Sequence, residues 1–278
     1  MALRTYYWNT RKVSKWKYYK TRWRTPHKMV LKYGNAGDIY NADLIRYLYN
    51  EMPINLTKQE SRLLLVGSIA SVIEKNDIVC GIGWKGNDLS NKREIIERAK
   101  VYGVRGPLTR SLFEQCNADL STLKFEYDPG LLIREVYDLD LKTSKNGKPI
   151  FIPHYRDNWK YNGKYPKEIK FVSIDNEPKR LAVEILKSSV VYTSSLHGII
   201  FSHALKKECV FVAPQTEEPI FKYQDYFLSI NQKLPEPIKH IYDFNFSKDK
   251  TTFLDKEIGI DQFYFPSKEE LTKREILV

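Results

Sequence analysis

His197 stands where a run of small hydroxyl residues gives way to an apolar helical pattern, in the stretch Thr193-Ser-Ser-Leu-His-Gly-Ile-Ile-Phe-Ser-His-Ala-Leu205. Val190, Val191 and Tyr192 precede it, so the spacing predicts a strand, a tight turn and a helix in succession. The first N–H groups of a helix have no intrahelical acceptor, and with the helix dipole they favour an anion. An imidazole at that point exchanges protons near neutral pH. The combination suits acid chemistry on a phosphorylated substrate.

Other reactive side chains fall at the ends of predicted strands. Arg105 follows an apolar run and precedes Gly106-Pro107. Its planar fork fits a carboxylate or phosphate of a ligand, and fits equally a buried acid of the protein such as Asp128. His154 and Arg156 share the loop Pro153–Asp157. Lys222 and Asp225 lie in the aromatic segment Phe221–Phe227, which reads either as an amphipathic surface element or as a lysine reaching into a cleft. Gly34-Asn-Ala-Gly-Asp38, with Asn41 further on, reads as a turn capped by Asp38 or as a backbone approach to a ligand whose hydroxyls Asp38 and Asn41 bind. His203 falls within the helix that follows His197 and reads as a packing residue. No grouping of His, Cys, Asp and Glu has metal-ligand spacing, and no P-loop, dinucleotide fingerprint or G-x-S-x-G elbow is present.

The elements that must hold these residues alternate. Strand patterns at Arg62–Gly67, Asp77–Ile82, Lys100–Val104 and Lys124–Tyr127 are interleaved with helix patterns at Ile69–Lys75, Asn91–Arg98 and Pro107–Gln115. After a polar segment, Leu139–Lys148, the alternation restarts with strands at Pro149–Ile152, Ile169–Ile174, Val190–Thr193 and Glu208–Val212, and helices at Pro178–Lys187 and Ile199–Leu205. This is α/β patterning with a parallel sheet in each half. It predicts two Rossmann-like domains, residues 1–145 and 146–278, facing a cleft. Ligands of such sheets bind beyond the carboxyl ends of the strands. The loops Gly34–Asp38, Gly81–Asn87, Arg105–Pro107, Asp128–Gly130, Pro153–Asp157 and Ser194–Gly198 fall at those ends.

The 278 residues are 42% hydrophobic and 28% charged, a globular composition, with a net charge of +11. That charge is uneven: no Asp or Glu precedes Asp38, while Lys12, Lys15, Lys17, Arg22 and other cations are interleaved there with Trp8, Trp16, Tyr18, Tyr19 and Trp23. Such a segment suits nucleic acid, an anionic membrane face, or a solvated loop whose aromatics pack on the domain. The three cysteines, Cys80, Cys116 and Cys209, form no disulfide framework, and Cys80 and Cys209 read as buried fillers. No apolar run approaches membrane-spanning length, and the expected location is cytoplasmic.

In order along the chain, Gly34–Asp38 with Asn41, Val66–Ser68, Gly81–Gly83, Val104–Thr109, Asp128–Leu132, Ile152–Asp157, Ser194–Gly198 and Phe221–Phe227 resemble the polysaccharide pyruvyl transferase family. The resemblance implies a GT-B-like arrangement of the two domains. It also implies transfer of an enolpyruvyl-derived unit from phosphoenolpyruvate to a sugar of a bacterial surface polysaccharide or its precursor, as a cyclic ketal, with no cofactor and no metal. By its motifs, His197 is the expected catalytic acid or phosphate contact, and Arg105 the catalytic, donor-holding arginine. Ser195, Leu196, Lys222, His154 and Arg156 complete the expected donor side; Asn35, Asp38 and Asn41 form the acceptor side. Some relatives carry Arg where this chain has Ser195, so Lys222 or Arg156 must supply that charge. Residues 9–33 look like an insertion that could rest on the cytoplasmic membrane face if the acceptor is lipid-linked. Two rivals use the same sequence differently: a nucleotide-sugar glycosyltransferase on the same scaffold, and an RNA-binding module built on the basic run. The second leaves the strand-end motifs without a purpose, and nucleic acid is not an expected partner.

Overall fold

The computed structural model describes residues 1–9, 16, 31–57, 61–141, 147–161, 163–246 and 248–278. Two sheets carry the fold. The first has the order β2-β1-β3-β4-β5-β6 and consists of β1 (Ala2–Thr5), β2 (Met52–Asn55), β3 (Leu63–Leu64), β4 (Ile78–Cys80), β5 (Lys100–Val104) and β6 (Phe125–Glu126), all parallel. The second, in the order β11-β10-β9-β7-β8, contains β7 (Ile150–Ile152), β8 (Lys170–Phe171), β9 (Val191–Thr193), β10 (Cys209–Phe211) and β11 (Thr251–Thr252). Only the β10–β11 pair is antiparallel. The central strands β4, β7, β9 and β10 are buried at every residue, as parallel strands covered on both faces must be, and their Ile, Val, Phe and Cys content follows from it.

Among the described residues the longer helices on the sheets are α1 (Ala36–Tyr49), α2 (Pro107–Gln115), α3 (Pro178–Lys187), α4 (Leu196–Ala204), α5 (Phe221–Ser229) and α6 (Lys268–Lys273). Ala36, Tyr40 and Leu44 form one buried stripe of α1, a four-residue repeat. That helix packs against α3 and α4 as well as against its own sheet, so one apolar cluster runs through both halves, beside a separate cluster in each. The loop before α1 is fixed from the other side: the Asp175 carboxylate accepts N–H bonds from Lys32, Tyr33 and Gly34, and Ala36 N–H donates to Ile174 O.

The helices α2 and α3 have the bounds read from the sequence. The helix expected over Ile69–Lys75 is a single tight turn, Ala70–Val72. Buried side chains take the backbone groups it would have used: Arg62 Nη2 donates to Val72 O, and Glu74 N–H donates to Asp77 Oδ2. The helix expected at Asn91–Arg98 likewise shortens to Arg93–Ile96. Sequence reading passed over β2, an exposed edge strand in which Pro53 is tolerated. It also missed the return of the tail, where Ala2 and Arg4 exchange backbone bonds with Val278 and Ile276 along the flank of β1. Half of the polar segment Leu139–Lys148 and most of the basic segment 9–33 lie outside the described residues. All three cysteines are buried and free. Among the described residues no helix is long and apolar enough to cross a membrane.

Arg62 and Asp77 are both 0% exposed and joined at 2.6 Å. Asp77 also accepts from the Arg62 and Glu74 backbone N–H groups. Removing one member of such a buried pair strands the other charge and typically costs about 3–5 kcal/mol. Asp77→Ala should therefore lower the urea unfolding free energy by an amount in that range; a loss under about 1 kcal/mol, the surface-pair scale, would show that the pair is not part of the core.

Candidate active site

A cavity of about 140 Å³ opens between the two halves. The first half contributes Tyr6, Trp8, Asn35, Asp38, Ser68 and Lys85, and the second His154, Tyr155, Ser195, Leu196, His197, Glu218 and Lys222. Two helix N-termini meet there. Asn35 caps α1 by accepting from Gly37 N–H, and Ser195 is the N-cap residue of α4. Their dipoles add positive potential on both sides of the same space.

His197 is 7% exposed and lies in the first turn of α4. Its ring is packed so closely on the start of α1 that a Cβ on Gly37 would fall 2.0 Å from Nδ1; only glycine permits the approach. Its Nε2 is buried with no hydrogen-bond partner, the condition of a group whose partner is a ligand. Burial, then the charges of Arg105 and Lys222, push the imidazole down to about 3. Asp38 behaves oppositely. Burial raises its carboxyl to about 7 against the lowering influence of Lys85, Lys222 and Asn35. A carboxyl near 7 beside a neutral imidazole is an acid–base pair of the kind active sites hold.

Lys222 and Asp225 sit one turn apart on α5, and the sequence brackets both. Lys222 lines the cavity, where its Nζ meets Glu218 Oε2 at 2.6 Å. Asp225 is used elsewhere. Its carboxylate, 0% exposed, accepts from Arg105 Nε and Nη2, from the backbone N–H groups of Leu108 and Thr109, and from Thr109 Oγ1. It thus caps α2 across the boundary between the halves.

Arg105, expected as the donor contact, does not line the cavity. It is 0% exposed, and its remaining N–H groups go to Ser68 Oγ at 2.6 Å and Trp84 O at 2.7 Å. A Cβ on Gly83 would fall 2.0 Å from its guanidinium carbon. Its acid partner is Asp225, whereas Asp128 serves as the N-cap for Pro129–Leu132. Asn41 also stands apart from the cavity wall, because its amide is consumed by the backbone: Nδ2 donates to Asp38 O and Val66 O, and Oδ1 accepts from Val66 N–H. Asn35 and Asp38 do line it. Arg156 is not on the wall, but its Nη1 lies 3.2 Å from Glu218 Oε1. His154 is held well below its ordinary range by burial, then by Lys222 and Arg156, so it is neutral. His203 is a packing residue, hydrogen-bonded to Tyr226 and Thr252.

The family model for polysaccharide pyruvyl transferase matches residues 3–216. The chain belongs to that family. A relative in Acanthamoeba polyphaga mimivirus, "Uncharacterized protein L143", is 28% identical over 180 residues, which cover 62% of this chain and 61% of the relative's length. A crystal structure of a functionally uncharacterised protein, KP1_0663, from Klebsiella pneumoniae subsp. pneumoniae NTUH-K2044 aligns over 88% of this chain at 15% identity and a TM-score of 0.45.

For this pyruvyl transferase family member, sequence reading missed Lys85 and Glu218, and the aromatic wall of Tyr6, Trp8 and Tyr155. Trp8 and Tyr155 meet across the halves with centroids 4.9 Å apart and their planes tilted by 42°. The available signal was Glu218 four residues ahead of Lys222 at the start of a helix. The cations of segment 9–33 bearing on an anionic partner lie largely outside the described residues. Among the described residues no group of three or more His, Cys, Asp or Glu could hold a metal ion.

The two perturbed groups give opposite pH dependences of stability. His197 falls from 6.5 to about 3. Its contribution is therefore whole above the unfolded value and is lost as pH falls through that interval. Asp38 rises from 3.8 to about 7, so its contribution is present at acid pH and is lost as pH rises through about 7. In melting curves recorded from about pH 8 to 4, His197→Gln should remove a rise of stability with pH below about 6.5 and Asp38→Asn a fall of stability with pH below about 7, so the two variants should change the wild-type slope in opposite directions. Wild-type slopes in both variants would refute the two assignments.

Proposed function

We propose that the protein transfers the enolpyruvyl-derived group of phosphoenolpyruvate to a sugar of a bacterial surface polysaccharide or its lipid-linked precursor, closing a pyruvate ketal. Family membership supports pyruvyl transfer to a polysaccharide. The observation that carries the donor assignment is the orphaned Nε2 of His197 in a cavity that also holds Lys222 and Lys85. We read the chain as two Rossmann-like domains, 1–145 and 146–278, in a GT-B-like arrangement, with the tail returning to the first sheet.

The donor carries a phosphate and a carboxylate, which Lys222, Lys85 and Arg156 neutralise with the N-terminal N–H groups of α4. Ser195 and Leu196 supply that helix start, and His154 lies behind it as a neutral wall. Arg105 acts at one remove, holding Ser68 and adding its charge to the field at His197. The acceptor ring stacks on Trp8 and Tyr155, with its hydroxyls toward Asn35 and Asp38.

In the reaction, His197 delivers a proton to the methylene carbon as a sugar hydroxyl adds to carbon 2, and Asp38 takes the hydroxyl proton. Loss of phosphate leaves an oxocarbenium-like centre, and a second hydroxyl closes the ketal. Two hydroxyl protons are given up in all; one is balanced by the new methyl hydrogen and the other leaves on inorganic phosphate. Burial, and after it the charges of Arg105 and Lys222, hold His197 near 3; the donor's anionic groups offset those two cations, so the imidazole acquires its proton together with the donor. A lipid-linked acceptor would bring the basic segment 9–33 to an anionic membrane face.

Calorimetric titration with phosphoenolpyruvate in buffers of different ionisation enthalpy should register proton uptake, and no uptake would remove His197 from the acid role. Mass spectrometry of candidate oligosaccharides incubated with phosphoenolpyruvate should detect the ketal. His197→Ala should abolish that product while the melting transition is kept. Product formed from nucleotide sugars instead, or near-normal turnover by the variant, would overturn the reading.

A further inference from the structure

Glu218 is a carboxylate on the wall of a cavity that is otherwise furnished for anions. Its side chain is 2% exposed, with Oε2 at 2.6 Å from Lys222 Nζ and Oε1 at 3.2 Å from Arg156 Nη1. His154 Nε2 stands 3.6 Å away, too far for a hydrogen bond. We propose that Glu218 is the resident counter-anion of the donor site: its carboxylate holds, on Lys222 and Arg156, the position that an anionic group of the donor takes during turnover. The proposal rests on the reading that an anionic donor binds this cavity, and it adds which protein group that donor must displace.

Three observations support displacement rather than a fixed pair. The other buried acid of this region, Asp225, is tied to backbone N–H groups at a helix start as well as to Arg105. Among the described residues Glu218 has no such tie: its partners are the ends of two long side chains and one imidazole. It also lies outside regular structure, between β10 and α5, where neighbouring Glu217 and Pro219 are exposed. Turning its carboxylate outward therefore breaks no helix or ladder. Finally, charge accounting favours departure. Arg105 is balanced by Asp225, which leaves Lys222, Lys85 and Arg156 against Glu218 and the partly ionised Asp38. A donor bearing phosphate and carboxylate matches those cations only when Glu218 has withdrawn, because like charges at contact distance repel strongly where water is scarce. A ligand with one anionic group would exchange one carboxylate for another at no advantage. A ligand with two gains the second contact, so Glu218 makes the site selective for doubly anionic donors.

The test is calorimetric titration of the full chain with phosphoenolpyruvate and, separately, with inorganic phosphate. Glu218→Gln keeps the shape and removes the charge. It should bind phosphoenolpyruvate at least about tenfold tighter than wild type and narrow the preference over phosphate. A carboxylate that merely orients Lys222 would give the reverse, so unchanged or weaker binding of both ligands overturns the proposal, as does lost stability with no gain in affinity. If Glu218→Gln does not fold, Glu218→Asp, which retracts the carboxylate from Lys222, must tighten binding in the same sense; weaker binding overturns the proposal. Tighter phosphate binding by the variant, with phosphoenolpyruvate bound by neither protein, would sustain the counter-anion and defeat the donor assignment.

Discussion

Asp225 reaches from α5 across the boundary between the halves to the start of α2 and to Arg105, and the geometry of the cavity follows from that crossing. Five donors converge on this one carboxylate: Arg105 Nε and Nη2, the Leu108 and Thr109 N–H groups, and Thr109 Oγ1. An acid completely removed from water is tolerable only when its lone pairs are satisfied in this way. Because Lys222 precedes Asp225 by one helical turn, fixing Asp225 also fixes the lysine in the cavity. The same guanidinium sets Ser68 in the opposite wall. A single buried ion pair thereby registers cavity residues that come from opposite halves.

Against that clamp, the two ends of the acid–base pair are brought together by a missing side chain. Gly37 lets the His197 ring lie on the first turn of α1, whose next residue is Asp38. One environment acts on both groups with opposite effect. Burial disfavours charge on each, so it pushes the imidazole down and the carboxyl up. The nearby cations add to the first shift and oppose the second. An arriving anion raises the proton affinity of both, which couples protonation of the site to ligand binding.

Much of this was legible in the sequence because it depends on local pattern. The buried parallel strands are continuous apolar runs, and the helices α2 and α3 begin with proline at the position where its missing N–H costs nothing. His197 was found because a helix start is recognisable. Arg105 and Asn41 were read as ligand contacts because their types suit anions and hydroxyls. Their partners, Asp225 and Val66, lie 120 and 25 residues away in the chain, and no local pattern carries that information. Glu218 stands four residues ahead of Lys222, a spacing that marks the pair, but no local pattern says that both side chains turn into a cavity. The truncated helix at Ala70–Val72 reflects capture of its backbone groups by Arg62 and Asp77, a tertiary effect that propensity does not encode.

Trp8 and Asn35, which bound the basic aromatic excursion 9–33, both stand on the wall of the cavity, each tied to the second half, through Tyr155 and through the strand-like bridge to Asp175. The described residues that flank the excursion are thus both set in the cavity wall. The entropy of joining two fixed points grows only with the logarithm of the length between them, about 0.6 kcal/mol for each doubling. The length and composition of the residues between these two anchors can therefore change at little entropic cost, while the cavity wall keeps its form.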